Sequence, residues 1–333
     1  RDRGRAGVGK RPVSHSSDCM RFLRSKLIDL GVVTVGVSII TFLMIRLIPG
    51  DAVAIMLGAN TEVTPERIAA LRTRLGLDQS IVTQYVSWLH GVLTGNLGVS
   101  IWTQRPVTAE IVAHVWPTIQ LTLLALVLGA GLAVPLGVLM AKLRGKGWDV
   151  ALQIGSVAGL TIPSFWLGTM MILLMTALVP QLQMLGYVPF EEDPLGNIRH
   201  LILPALALAL PLLANLARLL RSTMLDALQQ DYIRTARAHG ASEASILFKH
   251  ALRNALIPFV TSVGINTGYL LGGAIVVEQV FAIPGLGRLI LGAISERNYP
   301  LVQATILVVT LAFVLVNFVV DLLYAVIDPR VRQ

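Results

Sequence analysis

Six apolar runs divide this chain, near residues 27–48, 117–141, 151–179, 201–221, 256–281 and 301–326, and each is long enough to cross a bilayer as a helix. A hydrocarbon core of about 30 Å takes about 20 helical residues. Inside that core no water pairs with backbone N–H and C=O groups, so a spanning segment must satisfy its own backbone. The expected fold is therefore an all-α polytopic membrane protein of about six transmembrane helices. Composition agrees, with 54% hydrophobic and only 14% charged residues and a mean hydropathy of +0.71, whereas soluble domains carry about 25% charged residues.

The polar residues between the runs set the expected orientation. With the N-terminus inside, the inner side collects the basic tail from Arg1 to Lys26, then Lys142, Arg144 and Lys146, the stretch from Arg218 to Arg253, and Arg330 and Arg332. The outer side keeps Arg67, Arg72, Arg74, Arg105, Arg199, Arg288 and Arg297, diluted by nine acidic residues from Asp51 to Glu296. The positive-inside rule then places both termini in the cytoplasm. The chain divides into a basic tail (1–26), a first span (27–48), a large extracytoplasmic helical loop (49–116), a spanning core (117–326) with a cytoplasmic loop at 222–255, and a C-terminus (327–333). The apolar run behind the tail is too long for a signal-peptide core and reads as a retained span.

Several function classes are excluded. A net charge of +8 suggests nucleic acid in a soluble protein, but here it is a topology signal. A single cysteine, Cys19, allows no disulfide framework, and six scattered histidines show no ligand spacing, so neither a metal nor a cofactor is expected on this chain. Gly4, Gly9 and Lys10 mimic a phosphate loop, but Arg11 stands where a hydroxyl must meet magnesium and no strand precedes them. HExxH, GxSxG and a paired-acid cluster are missing, which argues against a membrane-bound enzyme. A secondary transporter needs intramembrane ion or proton carriers and often an inverted repeat, and neither is visible.

In the outer loop, Thr64 and Pro65 predict a helix start and Gly76 its stop, with a second helix over about Ser80 to Leu93. Ile81, Tyr85, Trp88, Leu89 and Val92 share one face of that second helix, which fits either a lateral helix at the membrane surface or a small packing subdomain. The most unusual stretch is Asp231 to Arg253, DYIRTARAHGASEASILFKHALR. It predicts a helix through Ala238, a glycine at Gly240 free to take φ > 0, and a second helix capped by Ser242. The close flanking spans argue against a DNA-reading helix–turn–helix.

Charges within spans are costly and point to function. Glu278 lies near the outer end of the fifth span, just before Pro284 and Gly285. Together with Phe281 these residues are read as a segment lining or gating the outer mouth, with Glu278 tied to a neighbouring arginine or to freed backbone N–H groups; a purely structural anchor is the alternative. Asn317 and Asp321 share a face of the last span, and Asp29 lies near the start of the first, which suits packing between spans or a proton relay. Pro135, Pro163, Pro204 and Pro211 are expected to kink their helices.

From Met20 to Arg332 the ordered motifs are IRLIPGD (Ile45–Asp51), LGLD (Leu75–Asp78), GNLGVS (Gly95–Ser100), RPV (Arg105–Val107), IPSFWLG (Ile162–Gly168), HLILPALAL (His200–Leu208), DYIRTARAHG (Asp231–Gly240), HALRNALIP (His250–Pro258), VVEQVFAIPGLGR (Val276–Arg288) and VDLLYAVIDPR (Val320–Arg330). In this order they resemble the B-type permease subunit of the dipeptide, oligopeptide and nickel ABC importers. Residues 1–19 precede the resemblance and read as an extension or an upstream translation. The resemblance implies a type I ABC importer permease fold in a bacterial inner membrane, non-catalytic itself and surrounded by membrane lipid. The implied partners are a second homologous permease, two ABC ATPase subunits that bind ATP and magnesium, and an extracytoplasmic solute-binding protein. It also implies that Arg234, Thr235, Ala236, Arg237, Ala238, Gly240, Ala241 and Ser242 couple to an ATPase. Arg234, Arg237, Lys249 and Arg253 are then placed to meet acids on the ATPase or anionic headgroups. Arg234 replaces the glutamate usual in importer loops, and Arg253 a usual proline; the first matches the RTARA form of the peptide branch. The expected cargo is di- or oligopeptides, with nickel or another small solute as the alternative.

Overall fold

The computed structural model describes residues 15–47, 73, 78–181 and 184–327, and these form a helical bundle. In chain order the helices are α1 (His15–Leu47), α2 (Ile81–Leu93), α3 (Val107–Lys142), α4 (Gly147–Thr161), α5 (Ser164–Leu178), α6 (Pro194–Leu228), α7 (Asp231–Ala238), α8 (Glu243–Val280), α9 (Leu286–Ser295) and α10 (Tyr299–Ile327). Within α8 the stretch Ile246–Ala251 is wound as a π-helix. Five helices (α1, α3, α6, α8 and α10) are long and apolar enough to cross a membrane, and the pair α4–α5 supplies a sixth crossing if counted as one span.

That pair corrects the expectation of a single span over 151–179. Its two helices meet at 103°. Pro163 has no N–H to continue the ladder and forces the residue before it out of the helical region; Ile162 accordingly sits at φ −76° and ψ 122°. The other prolines expected to kink, Pro135, Pro204 and Pro211, lie inside continuous helices.

Helices α3 and α6 run parallel at the centre of the bundle, and α6 is the most deeply buried of the five long helices. Their contact depends on missing side chains. A Cβ at Gly129 would fall 2.7 Å from a methyl of Leu212, and one at Gly137 would fall 2.9 Å from both the Ala217 carbonyl oxygen and the Leu220 Cβ. On the α6 side Ala205, Ala207, Ala209, Ala214 and Ala217 are buried. Because lipid is as apolar as leucine, helices in a bilayer associate by close van der Waals packing, which small residues permit. Helix α8 returns antiparallel along α6, with Gly273 facing Leu208. Helix α10 then packs antiparallel on α8, where Gly264 meets Val320 and Gly268 meets Phe313 and Asn317. The partner expected for Asn317, the Asp321 side chain, lies outside the described residues, as do the predicted helix from Thr64 to Gly76 and the tail motif at Gly4 to Arg11.

Two ends result. At the polar end lie the exit of α3, the start of α4, and the segment between α6 and α8. At the far end lie α2, the 94–106 loop and α9. Ser80 caps α2 by accepting from the Thr83 N–H at 3.2 Å. Tyr85 then meets Phe42 of α1 edge-on and Trp88 meets it at a tilt, at centroid distances of 5.2 and 5.7 Å. Tyr85, Trp88, Leu89 and Val92 are half-buried, while Ile81 is exposed. The GNLGVS and RPV motifs form one tight loop, closed by a bridge between Val99 and Pro106. The Asn298 side chain pins it, donating to Ser100 Oγ at 2.8 Å and accepting from the Ile101 N–H at 3.2 Å.

Replacing Gly137 with Leu should separate α3 from α6 and destabilise the protein by about 1–3 kcal/mol. Thermal unfolding of the detergent-solubilised protein is the measurement, and an unchanged midpoint would show that the two helices are held by something else.

Candidate coupling and gating sites

At the polar end, α7 and the start of α8 form a compact helix–turn–helix. Helix α7 ends in a Schellman turn: the Gly240 N–H donates to the Arg237 carbonyl at 2.9 Å and the Ala241 N–H to the Ala236 carbonyl at 3.1 Å. That geometry needs the left-handed region, and Gly240 sits at φ +81°. Ser242 then caps α8, its hydroxyl accepting from the Ser245 N–H at 3.3 Å. Across the turn the Arg237 guanidinium donates to Glu243 through Nε at 2.9 Å and Nη2 at 3.3 Å. Hydrogen bonding and the charge of Glu243 raise the Arg237 pKa above its ordinary value and keep the group cationic. Arg234 reaches Asp231 more loosely, at 3.4 Å.

Exposed ion pairs contribute little, so the fixed shape of this segment rests on other contacts. Ile233 and Ile246 are both fully buried, one from each arm. Asn254 also donates to the Tyr232 hydroxyl at 2.8 Å, tying α7 to α8. Of the residues expected to couple, Arg234, Thr235, Arg237, Ala238, Gly240 and Ser242 are exposed on one projecting element, while Ala236 and Ala241 are half-buried behind them. Together they form one exposed surface on that element.

The far end is organised around Glu278, which is completely buried. Its Oε1 accepts from the Thr118 hydroxyl of α3 at 2.6 Å, and its Oε2 accepts from the backbone N–H groups of Gly287 and Arg288 at 2.7 and 3.2 Å. Thr118 in turn accepts from the Leu286 N–H at 2.8 Å. The first turn of a helix leaves N–H groups without intrahelical partners, and here a carboxylate and a hydroxyl from two other helices take up three of them. Gly285 and Gly287 allow it, because a Cβ at either would overlap the carboxyl group. Of the two partners expected for Glu278, the structure shows the backbone N–H groups; the Arg288 guanidinium donates to the Ala282 carbonyl instead, at 2.8 Å.

Phe281, Pro284 and Gly285 gather around this knot, with Phe281 buried against Gly168 of α5. The four residues expected at the outer mouth are thus brought together at the end of the bundle opposite the coupling residues, and α8 runs between the two groups. Sequence reasoning missed Thr118, whose partner lies 160 positions away, and for which no local signal exists. It also missed Ile233 and Ile246, two apolar residues of the polar Asp231–Arg253 stretch that the fold buries completely.

The long apolar helices and the projecting polar helix–turn–helix define an integral-membrane helical bundle. The family described as binding-protein-dependent transport system inner membrane component matches residues 133–333, and its N-terminal region matches residues 19–122; the chain belongs to this family and is a multi-pass inner membrane protein. Among its relatives, the dipeptide transport system permease protein DppB of Escherichia coli (strain K12) is 39% identical over 90% of this chain and 95% of its own length. A relative from Brucella abortus (strain 2308), named for peptide transport permeases, is 43% identical over 89% of this chain and 94% of its own. Among solved structures, the inward-facing MetNI methionine ABC transporter matches with a TM-score of 0.53 at 21% identity, over 66% of this chain and 96% of that one, and it shows the type I importer fold.

Replacing Thr118 with Val removes one donor and one acceptor from the far-end knot and leaves the buried Leu286 N–H unpaired, at a cost of about 1–3 kcal/mol. Hydrogen exchange should accelerate at the amides of Leu286, Gly287 and Arg288 while the α3–α6 core stays protected; unchanged exchange at those three amides would refute the knot.

Proposed function

We propose that this chain forms half of the translocation path of an ATP-driven importer for di- and oligopeptides, and that Arg234 to Ser242 dock onto an ATPase subunit. One observation carries the reading: the exposed coupling residues stand on a segment fixed by the Schellman turn and by buried Ile233 and Ile246, and α8 continues from that segment to the Glu278 knot. A docking element must keep its shape under load, and this one does so without relying on its surface charges. Two ATPase subunits would bind ATP and magnesium, a second homologous permease would complete the path, and an extracytoplasmic solute-binding protein would deliver cargo at the far end. The names of the relatives support the peptide class. The basic residues Lys142, Arg144, Lys146, Arg234 and Arg253 support a cytoplasmic polar end, and with it cytoplasmic termini.

Mechanistically, closure of the ATPase pair would displace the segment between α6 and α8, and both helices would follow because it is fastened to each. Differential contacts in the two states then shift the balance between inward-open and outward-open arrangements. At the far end Glu278 holds α9 in place, while Phe281, Pro284 and Gly285 form the part of the mouth that must rearrange.

Gly240→Val places a β-branched residue at φ +81°, a conformation costing about 1–2 kcal/mol even for ordinary side chains, whereas Gly240→Asn is tolerated there. In the complex reconstituted with its ATPases, the Val variant should insert normally yet lose ATPase association and peptide uptake, and the Asn variant should keep association. Full uptake by the Val variant, or ATP hydrolysis by the isolated chain, would overturn the reading.

A further inference from the structure

We propose that the ion pair between Asp149 and Arg221 is a positioning clamp that fixes the broken helix α4–α5 to the driven end of α6, so that movement of the coupling segment reaches Phe281 at the far end. The proposal rests on the docking role assigned to residues 234–242. Arg221 lies two turns before α6 ends at Leu228, next to the coupling segment. Asp149 lies in the first turn of α4.

The contact is built as a clamp. Asp149 Oδ1 accepts from Arg221 Nε at 2.8 Å and from Gln153 Nε2 at 2.9 Å. Its Oδ2 accepts from Arg221 Nη2 at 2.7 Å and from the Gly145 backbone N–H at 3.3 Å. Gly145, at φ +76°, belongs to the connector leaving α3. One carboxylate therefore ties the exit of α3, the start of α4 and the end of α6. The side chains of Asp149 and Arg221 are only 5% and 17% exposed, so separating them would leave two poorly solvated charges.

Beyond the clamp, α4 lies along α6 through small residues, and a Cβ at Gly159 would fall 3.3 Å from the Ala214 Cβ. The chain then turns through 103° at Pro163. Helix α5 meets Phe281 at Gly168, where a Cβ would fall 2.7 Å from the ring. The outward face of α4 (Val150, Ile154, Val157) is exposed, so on this side only weakly directional apolar contacts and the ion pair hold it to α6. The bidentate guanidinium fork fixes both distance and angle, which apolar contacts in a bilayer do not.

The test uses the assembled complex in proteoliposomes with its binding protein and a labelled dipeptide, reading peptide imported per ATP hydrolysed. Asp149→Asn and Arg221→Met should keep the ATPases bound and hydrolysing, while this ratio falls about tenfold or more. The charge-reversed pair, Asp149→Arg with Arg221→Asp, should recover much of the ratio, which a general loss of folding would not do. A native ratio in the single variants, or no recovery in the reversed pair, would overturn the clamp. If the single variants fail to assemble, Arg221→Lys retains the charge and loses the fork; a lowered ratio supports the clamp and a native ratio overturns it. Gly240→Val separates the two readings: native coupling there overturns the docking role and the clamp with it, whereas native coupling in Asp149→Asn alone overturns only the clamp.

Discussion

Inside a bilayer two helices gain little by being apolar, since the lipid is apolar as well, and what holds α3 to α6 is the closeness that Gly129, Gly137 and the buried alanines of α6 allow. The contact is parallel, and parallel helices cannot be joined by a short turn. The chain must return from the polar end to the far end between them, and α4–α5 makes that return with its break at Pro163. The central contact therefore dictates the least regular part of the bundle. It also places the exit of α3 beside the end of α6, where Asp149 and Arg221 meet.

The two ends of the bundle use the same physical device. Each has a helix whose first-turn N–H groups need partners, and each recruits acceptors to meet them. At the polar end Ser242 caps α8 locally. At the far end α9 has no cap of its own, and Glu278 and Thr118 satisfy it from two other helices. A local cap travels with its helix, whereas a cap supplied from elsewhere ties that helix to its neighbours. The polar end is consequently capped within its own segment, whereas α9 is tied to α3 and α8 through Thr118 and Glu278.

Most of the fold was legible because its signals are local. Hydropathy locates the long helices, Gly240 and Ser242 mark the turn and cap at the polar end, and Tyr85 and Trp88 mark the half-buried side of α2. The crossing over 151–179 is legible as apolar length, but hydropathy is blind to backbone direction, so the break of 103° at Pro163 is not. The site was legible in proportion to its sequence locality. Residues 234–242 form one continuous element, so their grouping is visible in the sequence itself. Glu278 was singled out as a charge in an apolar run, but Thr118 and the Asp149–Arg221 pair depend on contacts across 160 and 72 positions, and single-sequence reading carries no information on those. Arg221 was counted only as one more basic residue on the inner side.

The two buried acids differ in what releasing them entails, and that difference matches their places in the bundle. Asp149 faces a guanidinium, and parting the pair exposes two opposite charges to a poor solvent at once, so the contact is made or broken as a whole. Glu278 is held by one hydroxyl and two backbone N–H groups, none of which carries a charge. On the reading proposed above, a transport cycle driven from the polar end needs a contact there that does not slip; the Asp149–Arg221 pair meets that need, while the neutral donors around Glu278 keep α9 fixed at the far end.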